Sequence, residues 1–238
     1  TYEYYLMYDK AIRELGIHRE LTVVSLGCGA MTDYMGLKAV EEGHPLSVQY
    51  TGVDLVDWSY KPYISPTDAA IFRTGITVGN YFRGIEELDA DIYMFPKSIS
   101  ELSVAEVEEI AACFRQKINK KERFAVCISL RNSPVNRNRD LQKAAKLEAA
   151  VLESGYIPGA ENNCYFVIPQ NCGIKKFEKN YSYPSQAAEA LKQLGNRCRM
   201  SAQCRYSRQC REGINRYPVL KTGEICYKVM TFERRRIA

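Results

Sequence analysis

Leu21 to Leu26 is a short, largely β-branched run that stops at Gly27-Cys28-Gly29, and the residues from Thr32 to Val40 then carry a helical pattern. A buried strand that runs into a glycine turn and then a helix is the local plan that most constrains this chain. It repeats. Ser47 to Val53 reads as a second strand ending at Asp54, Ile76 to Val78 as a weaker third and Asp91 to Phe95 as a fourth. Ser103 and Glu106 form a capping box for a helix whose apolar face is Val104, Val107, Ile110, Ala111 and Phe114. Phe124 to Leu130 is a fifth, wholly apolar strand, followed by a helix marked by Leu141, Ala144, Ala145, Val151 and Leu152 and closed by Gly155. Cys164 to Ile168 and Ile225 to Phe232 read as the sixth and seventh strands. Strands alternating with helices imply an α/β fold, with a mainly parallel sheet covered on both faces. Before it, Tyr5, Tyr8, Ile12 and Leu15 share one face of an opening helix that ends near Gly16.

At 238 residues the chain is near the upper limit for a single core. The expected organisation is therefore an N-terminal helix over 1–19, one domain built from 20–168 and 225–238, and an inserted subdomain over 169–224. Hydrophobic residues at 46% and charged residues at 26% exclude a disordered or collagen-like chain, and no apolar run is long enough to cross a bilayer. The expected location is the cytoplasm.

Charge is unevenly divided. From Gln170 to Ala238 there are 15 Lys and Arg against 5 Asp and Glu, a net of +10, and the preceding residues carry 18 against 23, a net of −5. Arg197, Arg199, Arg205, Arg208, Arg211 and Arg216 lie in that tail beside Tyr206 and Tyr217. Arginine forks grip phosphate and aromatic rings stack on unpaired bases, so this mixture points to RNA. Cys28, Cys113 and Cys127 lie in apolar segments and read as small buried hydrophobes. Cys198, Cys204, Cys210 and Cys226 form a second group, and four thiolates suit zinc or an iron–sulfur cluster. Unbound thiols are the alternative, because the spacing lacks CxxC pairs.

In an open parallel sheet, ligands sit beyond the carboxyl ends of the strands. There the Gly27-Cys28-Gly29 turn lets backbone approach a ligand, and Asp54 offers a carboxylate for the two hydroxyls of a ribose. A dinucleotide site is the nearest rival, but the turn lacks the last glycine of GxGxxG.

Val24 to Gly29 with Asp54 resembles the first motif and second-strand acid of the class I S-adenosylmethionine-dependent methyltransferases. The resemblance covers roughly residues 20–168 and a last strand near 225–232. It implies a Rossmann-like seven-stranded sheet, with the basic, cysteine-rich insertion between the last two strands. It further implies S-adenosylmethionine as cofactor, bound by Ser25, Gly27, Cys28, Gly29 and Asp54, with Asn80 and Tyr81 flanking adenine and Phe95 bordering the methyl group. Lys97, Ser98 and Glu101 follow the fourth strand and are the catalytic candidates. The family often carries an acid where Ser25 stands and a glycine where Met31 stands, and this chain has neither. The expected activity is methylation of structured or ribosomal RNA. The alternatives are a small-molecule methyltransferase and a non-catalytic nucleic-acid-binding module.

Overall fold

The computed structural model describes residues 2–58, 68–118, 121–159, 165–169 and 224–235. Along the chain run α1 (Tyr2–Leu15), β1 (Glu20–Leu26), α2 (Thr32–Glu41), β2 (Ser47–Val53), β3 (Ala69–Arg73), α3 (Val78–Gly84) and β4 (Ile92–Phe95). A short 3-10 turn over Ser98–Ser100 leads to α4 (Val104–Lys117), β5 (Arg123–Ser129), α5 (Pro134–Glu153), β6 (Tyr156–Pro158), β7 (Tyr165–Pro169) and β8 (Glu224–Arg234). The sheet order is β3-β2-β1-β4-β5-β8-β6, with β7 also paired to β8. β1 to β5 are mutually parallel, and β8 runs antiparallel to β5, β6 and β7. This is a Rossmann-like, mainly parallel α/β sheet. Among the described residues, no helix is long and apolar enough to cross a membrane.

The central strands are mostly apolar because they have two faces to fill; Ser25, Ser129, Lys228 and Thr231 are the buried exceptions. Along β5, Phe124, Val126 and Ile128 join the core under α3, α4 and α5, and Ala125 and Cys127 join the core under α1 and α2. β8 alternates in the same way, sending Met230 and Phe232 to the first core and Tyr227 and Val229 to the second. Phe124 is the hub of an aromatic cluster, with ring centroids 5.1 Å from Phe232 and 5.2 Å from Tyr156. Cys28, Cys113 and Cys127 are buried, with Cys28 and Cys127 in the α1–α2 core and Cys113 in the other. Helix α4 carries the expected capping box, in which the Ser103 hydroxyl accepts from the Glu106 N–H and the Glu106 carboxylate accepts from the Ser103 N–H.

One strand expectation needs correction. The third strand is Ala69–Arg73 and not Ile76–Val78, because the Thr77 hydroxyl accepts from the Asn80 N–H and caps α3 instead. The true β3 is an edge strand with no buried position, and the short apolar run Ala69 to Phe72 was the signal that could have found it. The expected sixth strand, Cys164 to Ile168, is present as β7, and β6 is a further short strand that the sequence reading did not give. β6 and β7 lie along the same edge of β8, where Tyr156 faces Arg234 and Tyr165 faces Lys228. The segment 170–223 lies outside the described residues.

Replacing Phe124 by Ala should lower stability by about 3–5 kcal/mol, as expected for an enclosed aromatic ring. Urea denaturation followed by circular dichroism measures it, and a loss below about 1 kcal/mol would mean the cluster is not a shared core.

Candidate functional site

The carboxyl ends of β1, β2 and β4 meet at one point. Both Gly27 and Cys28 donate their N–H groups to the Val53 carbonyl, at 2.8 and 3.1 Å, which ties the turn after β1 to the end of β2. From the other side the Ser98 hydroxyl donates a short hydrogen bond to the Leu26 carbonyl. A Cβ built on Gly27 would stand 2.5 Å from the Ser98 Cβ, and Gly27 has φ +68°. Only glycine satisfies both conditions. Gly29 differs, because with φ +55° a Cβ there would meet nothing within 4 Å. Its missing side chain leaves an open cradle at the surface of the turn.

Asp54 joins the two motifs directly. Its Oδ2 accepts from the Gly29 N–H at 2.8 Å, and its Oδ1 accepts from the Val56 N–H at 2.8 Å and the Trp58 indole N–H at 3.2 Å. A carboxylate has about four acceptor directions, so among the described residues three are used and one remains for a ligand hydroxyl. Leu55, Val56 and Trp58 follow it with 61, 49 and 44% of their surface exposed. An apolar rim beside a carboxylate suits a flat base attached to a ribose. Sequence reasoning did not single out this rim, although Leu-Val-Asp-Trp directly after the acid was a readable signal.

The remaining expected residues divide. Asn80 is exposed, and its side-chain oxygen accepts from Arg83, whereas Tyr81 is half-buried against Phe82. Both follow β3, and the Ile76 N–H donates to the Asp54 carbonyl at 3.3 Å, which brings that loop beside Asp54. Phe95 departs from expectation, since it is fully buried in the core under α3, α4 and α5 and does not line the face. Ser98 is buried and committed to Leu26, so it braces the turn and is not a free nucleophile or base. Glu101 caps the 3-10 turn through its backbone N–H to the Ser98 carbonyl. Lys97, at φ +68°, sends its ammonium to the Leu130 carbonyl at 2.6 Å and to Glu3 Oε1 at 3.2 Å.

Behind the turn lies a network that sequence reasoning missed. Asp33, in the first turn of α2, is fully buried and accepts from the Tyr8 hydroxyl at 2.9 Å and the Tyr50 hydroxyl at 3.1 Å. Burial holds its carboxyl above the usual range, opposed by hydrogen bonds that include the also-buried Ser25. Burial next to Asp33 and Asp54 raises the Cys28 thiol, so Cys28 packs under the turn as a neutral thiol. The periodicity of α1 had marked Tyr8 as packing only; the partner for its hydroxyl comes from another helix.

Of the proposed metal ligands, Cys198, Cys204 and Cys210 lie outside the described residues. Cys226 is buried on β8, and the Arg137 guanidinium donates to its sulfur at 3.2 Å. Burial raises this thiol and Arg137 pulls it down. Among the described residues, no group of three or more His, Cys, Asp or Glu is placed to hold a metal ion. The six arginines of the tail are likewise outside the described residues.

Asp33 titrates higher in the folded chain than the value of about 4 expected when unfolded. The folded state therefore binds more protons, and stability falls as pH rises from about 4 through the raised pKa. In urea titrations across this range, the parent should lose stability relative to Asp33→Asn, which cannot titrate. Parallel curves would show that Asp33 is not buried as described.

No family model matches the chain, and no curated protein sequence matches it. Solved structures resemble it at low identity. The Burkholderia thailandensis 1,6-didemethyltoxoflavin-N1-methyltransferase, with bound S-adenosylhomocysteine, is 15% identical at a TM-score of 0.49, over 98% of this chain and 79% of that one. A TehB-like S-adenosylmethionine-dependent methyltransferase from Corynebacterium glutamicum is 12% identical at 0.44, over 98% and 88%. The cyclopropane synthase MmaA2 of Mycobacterium tuberculosis is 11% identical at 0.45, over 94% and 82%.

Proposed function

We propose that this chain, whose sheet has the strand order and directions of the class I S-adenosylmethionine-dependent methyltransferases, is an enzyme that transfers a methyl group from S-adenosylmethionine to RNA. The observation that carries the cofactor reading is the joint between β1 and β2, where the Gly29 N–H and the Asp54 carboxylate meet at 2.8 Å beneath an open glycine cradle. The residues fit the group. Asp54 keeps an acceptor direction for a ribose hydroxyl, Leu55, Val56 and Trp58 offer an apolar rim for a base, and Gly29 lets backbone approach closely. When bound, S-adenosylmethionine supplies an electrophilic methyl on a sulfonium whose thioether leaves neutral. The chain's task is then chiefly to position an acceptor.

RNA as acceptor rests on charge. The net +10 carried from Gln170 to Ala238, with arginines and tyrosines interleaved, suits phosphates and unpaired bases, whereas the net −5 of the preceding residues would repel them. A small-molecule acceptor predicts no dependence on that charge.

Calorimetry with S-adenosylmethionine tests the first part. Asp54→Ala should weaken binding by about 1.5–3 kcal/mol, the usual value of hydrogen bonds to a charged group. Unchanged affinity would remove the site assignment.

For the second part, the combined neutralisation of Arg199, Arg205 and Arg208 should weaken binding to ribosomal RNA. Its salt dependence should flatten by roughly one unit of slope for each phosphate no longer gripped, while cofactor affinity stays the same. An unaltered slope would favour a small-molecule acceptor.

A further inference from the structure

The first turn of α1 reaches the face of the sheet on the side away from Asp54. Glu3 Oε1 accepts a short hydrogen bond from the Ser129 hydroxyl at the end of β5, and Lys97, just past β4, approaches the same oxygen at 3.2 Å. The next residue, Tyr4, sets its hydroxyl against those of Ser129 and Thr32, and Thr32 opens α2 directly after the glycine turn. Glu3, Lys97 and Ser129 therefore flank the glycine turn from the β4–β5 side, as Asp54 flanks it from the β2 side. A cofactor whose nucleoside lies at Asp54 would direct its opposite end toward this cluster.

The cluster has unused capacity. Lys97 carries three N–H donors, of which the Leu130 carbonyl and Glu3 take two. The described residues place donors on Oε1 of Glu3 and none on Oε2, and the two side chains keep 15 and 41% of their surface exposed for Glu3 and Lys97 respectively. Among the described residues, an acceptor carboxylate oxygen thus stands beside an ammonium donor with no partner, and the pair complements a group that presents an N–H next to a C=O.

On the strength of the proposed function above, we infer that Glu3 and Lys97 form the acceptor subsite for a cyclic amide nitrogen, a ring N–H flanked by a carbonyl. The step balances on these groups. The N–H proton passes to the Glu3 carboxylate, the freed electron pair bonds the methyl carbon, and the carbon–sulfur bond breaks to leave a neutral thioether. Lys97 hydrogen-bonds the neighbouring carbonyl oxygen, where the charge of the deprotonated amide gathers. Such amides occur both as nucleobases in RNA and as free heterocycles, and the chemistry at the subsite is the same.

The test supplies the full chain with tritiated S-adenosylmethionine and, in separate arms, ribosomal RNA and the free heterocycles uridine, guanosine and xanthine, and locates the methyl group by mass spectrometry. Methyl should appear on a ring nitrogen adjacent to a carbonyl, and the arm that accepts it identifies the source. Glu3→Gln should bind S-adenosylmethionine within about threefold of the parent by calorimetry, yet transfer at pH 7 about 100-fold more slowly or worse. Its residual rate should climb about tenfold per pH unit, as solvent replaces the missing proton acceptor. A parent that binds S-adenosylmethionine but methylates none of these acceptors, or methylates carbon, ribose oxygen or an exocyclic amine, overturns the inference. So does a Glu3→Gln rate equal to the parent's. Failure of the parent to bind S-adenosylmethionine at all instead overturns the function on which the inference rests.

Discussion

The contact on which the rest of the site depends is the packing of Ser98 against Gly27. No side chain fits between them, and the Ser98 hydroxyl fastens the Leu26 carbonyl at the same place. β1 and β4 are thereby held together at their carboxyl ends, where parallel strands would otherwise splay apart under their twist. The turn that follows can then satisfy Val53 with two N–H groups and present Gly29 to Asp54. One small residue and one hydroxyl thus set the positions of three strand ends.

Helix α1 extends this arrangement in two directions. Its apolar face fills the core beside β1, β4, β5 and β8, where Met7, Tyr8, Ala11 and Ile12 are buried. Its polar groups reach the site, with Tyr8 bonded to Asp33 behind the turn and Glu3 bonded to Ser129 in front of it. A buried carboxyl is costly unless it is hydrogen-bonded, and two tyrosine hydroxyls from different elements meet that requirement. The arrangement couples the seating of α1 to the shape of the glycine turn, so loosening one should loosen the other.

The same economy governs the edge of the sheet. β8 is flanked by β5 on one side and by the two pieces β6 and β7 on the other. Arg137 on α5 then meets Cys226 and Glu224 at the carboxyl end of β5. A guanidinium in that place gives the buried Cys226 thiol a hydrogen-bond donor.

Much of this was legible in the sequence, for a physical reason. Strands buried on both faces are mostly apolar, so β1, β4, β5 and β8 stand out despite Ser25, Ser129, Lys228 and Thr231, and a glycine turn followed by a second-strand acid is a readable motif. β3, an edge strand with no buried position, has only the four apolar residues Ala69 to Phe72 and was passed over for Ile76 to Val78, and β6, three residues long, is too short to carry a pattern. Phe95 was misplaced because adjacency to a loop does not reveal which face of the sheet a strand's last residue occupies. The sequence by itself thus determined the succession of strands and helices except around β3 and β6, and it singled out Gly27, Gly29, Asp54 and Lys97. Only the tertiary structure decided that Glu3, Tyr8 and Ser129 stand beside that turn. Contacts between residues 25 and 126 positions apart leave no periodic trace along the chain and exist only once α1 has packed against the sheet.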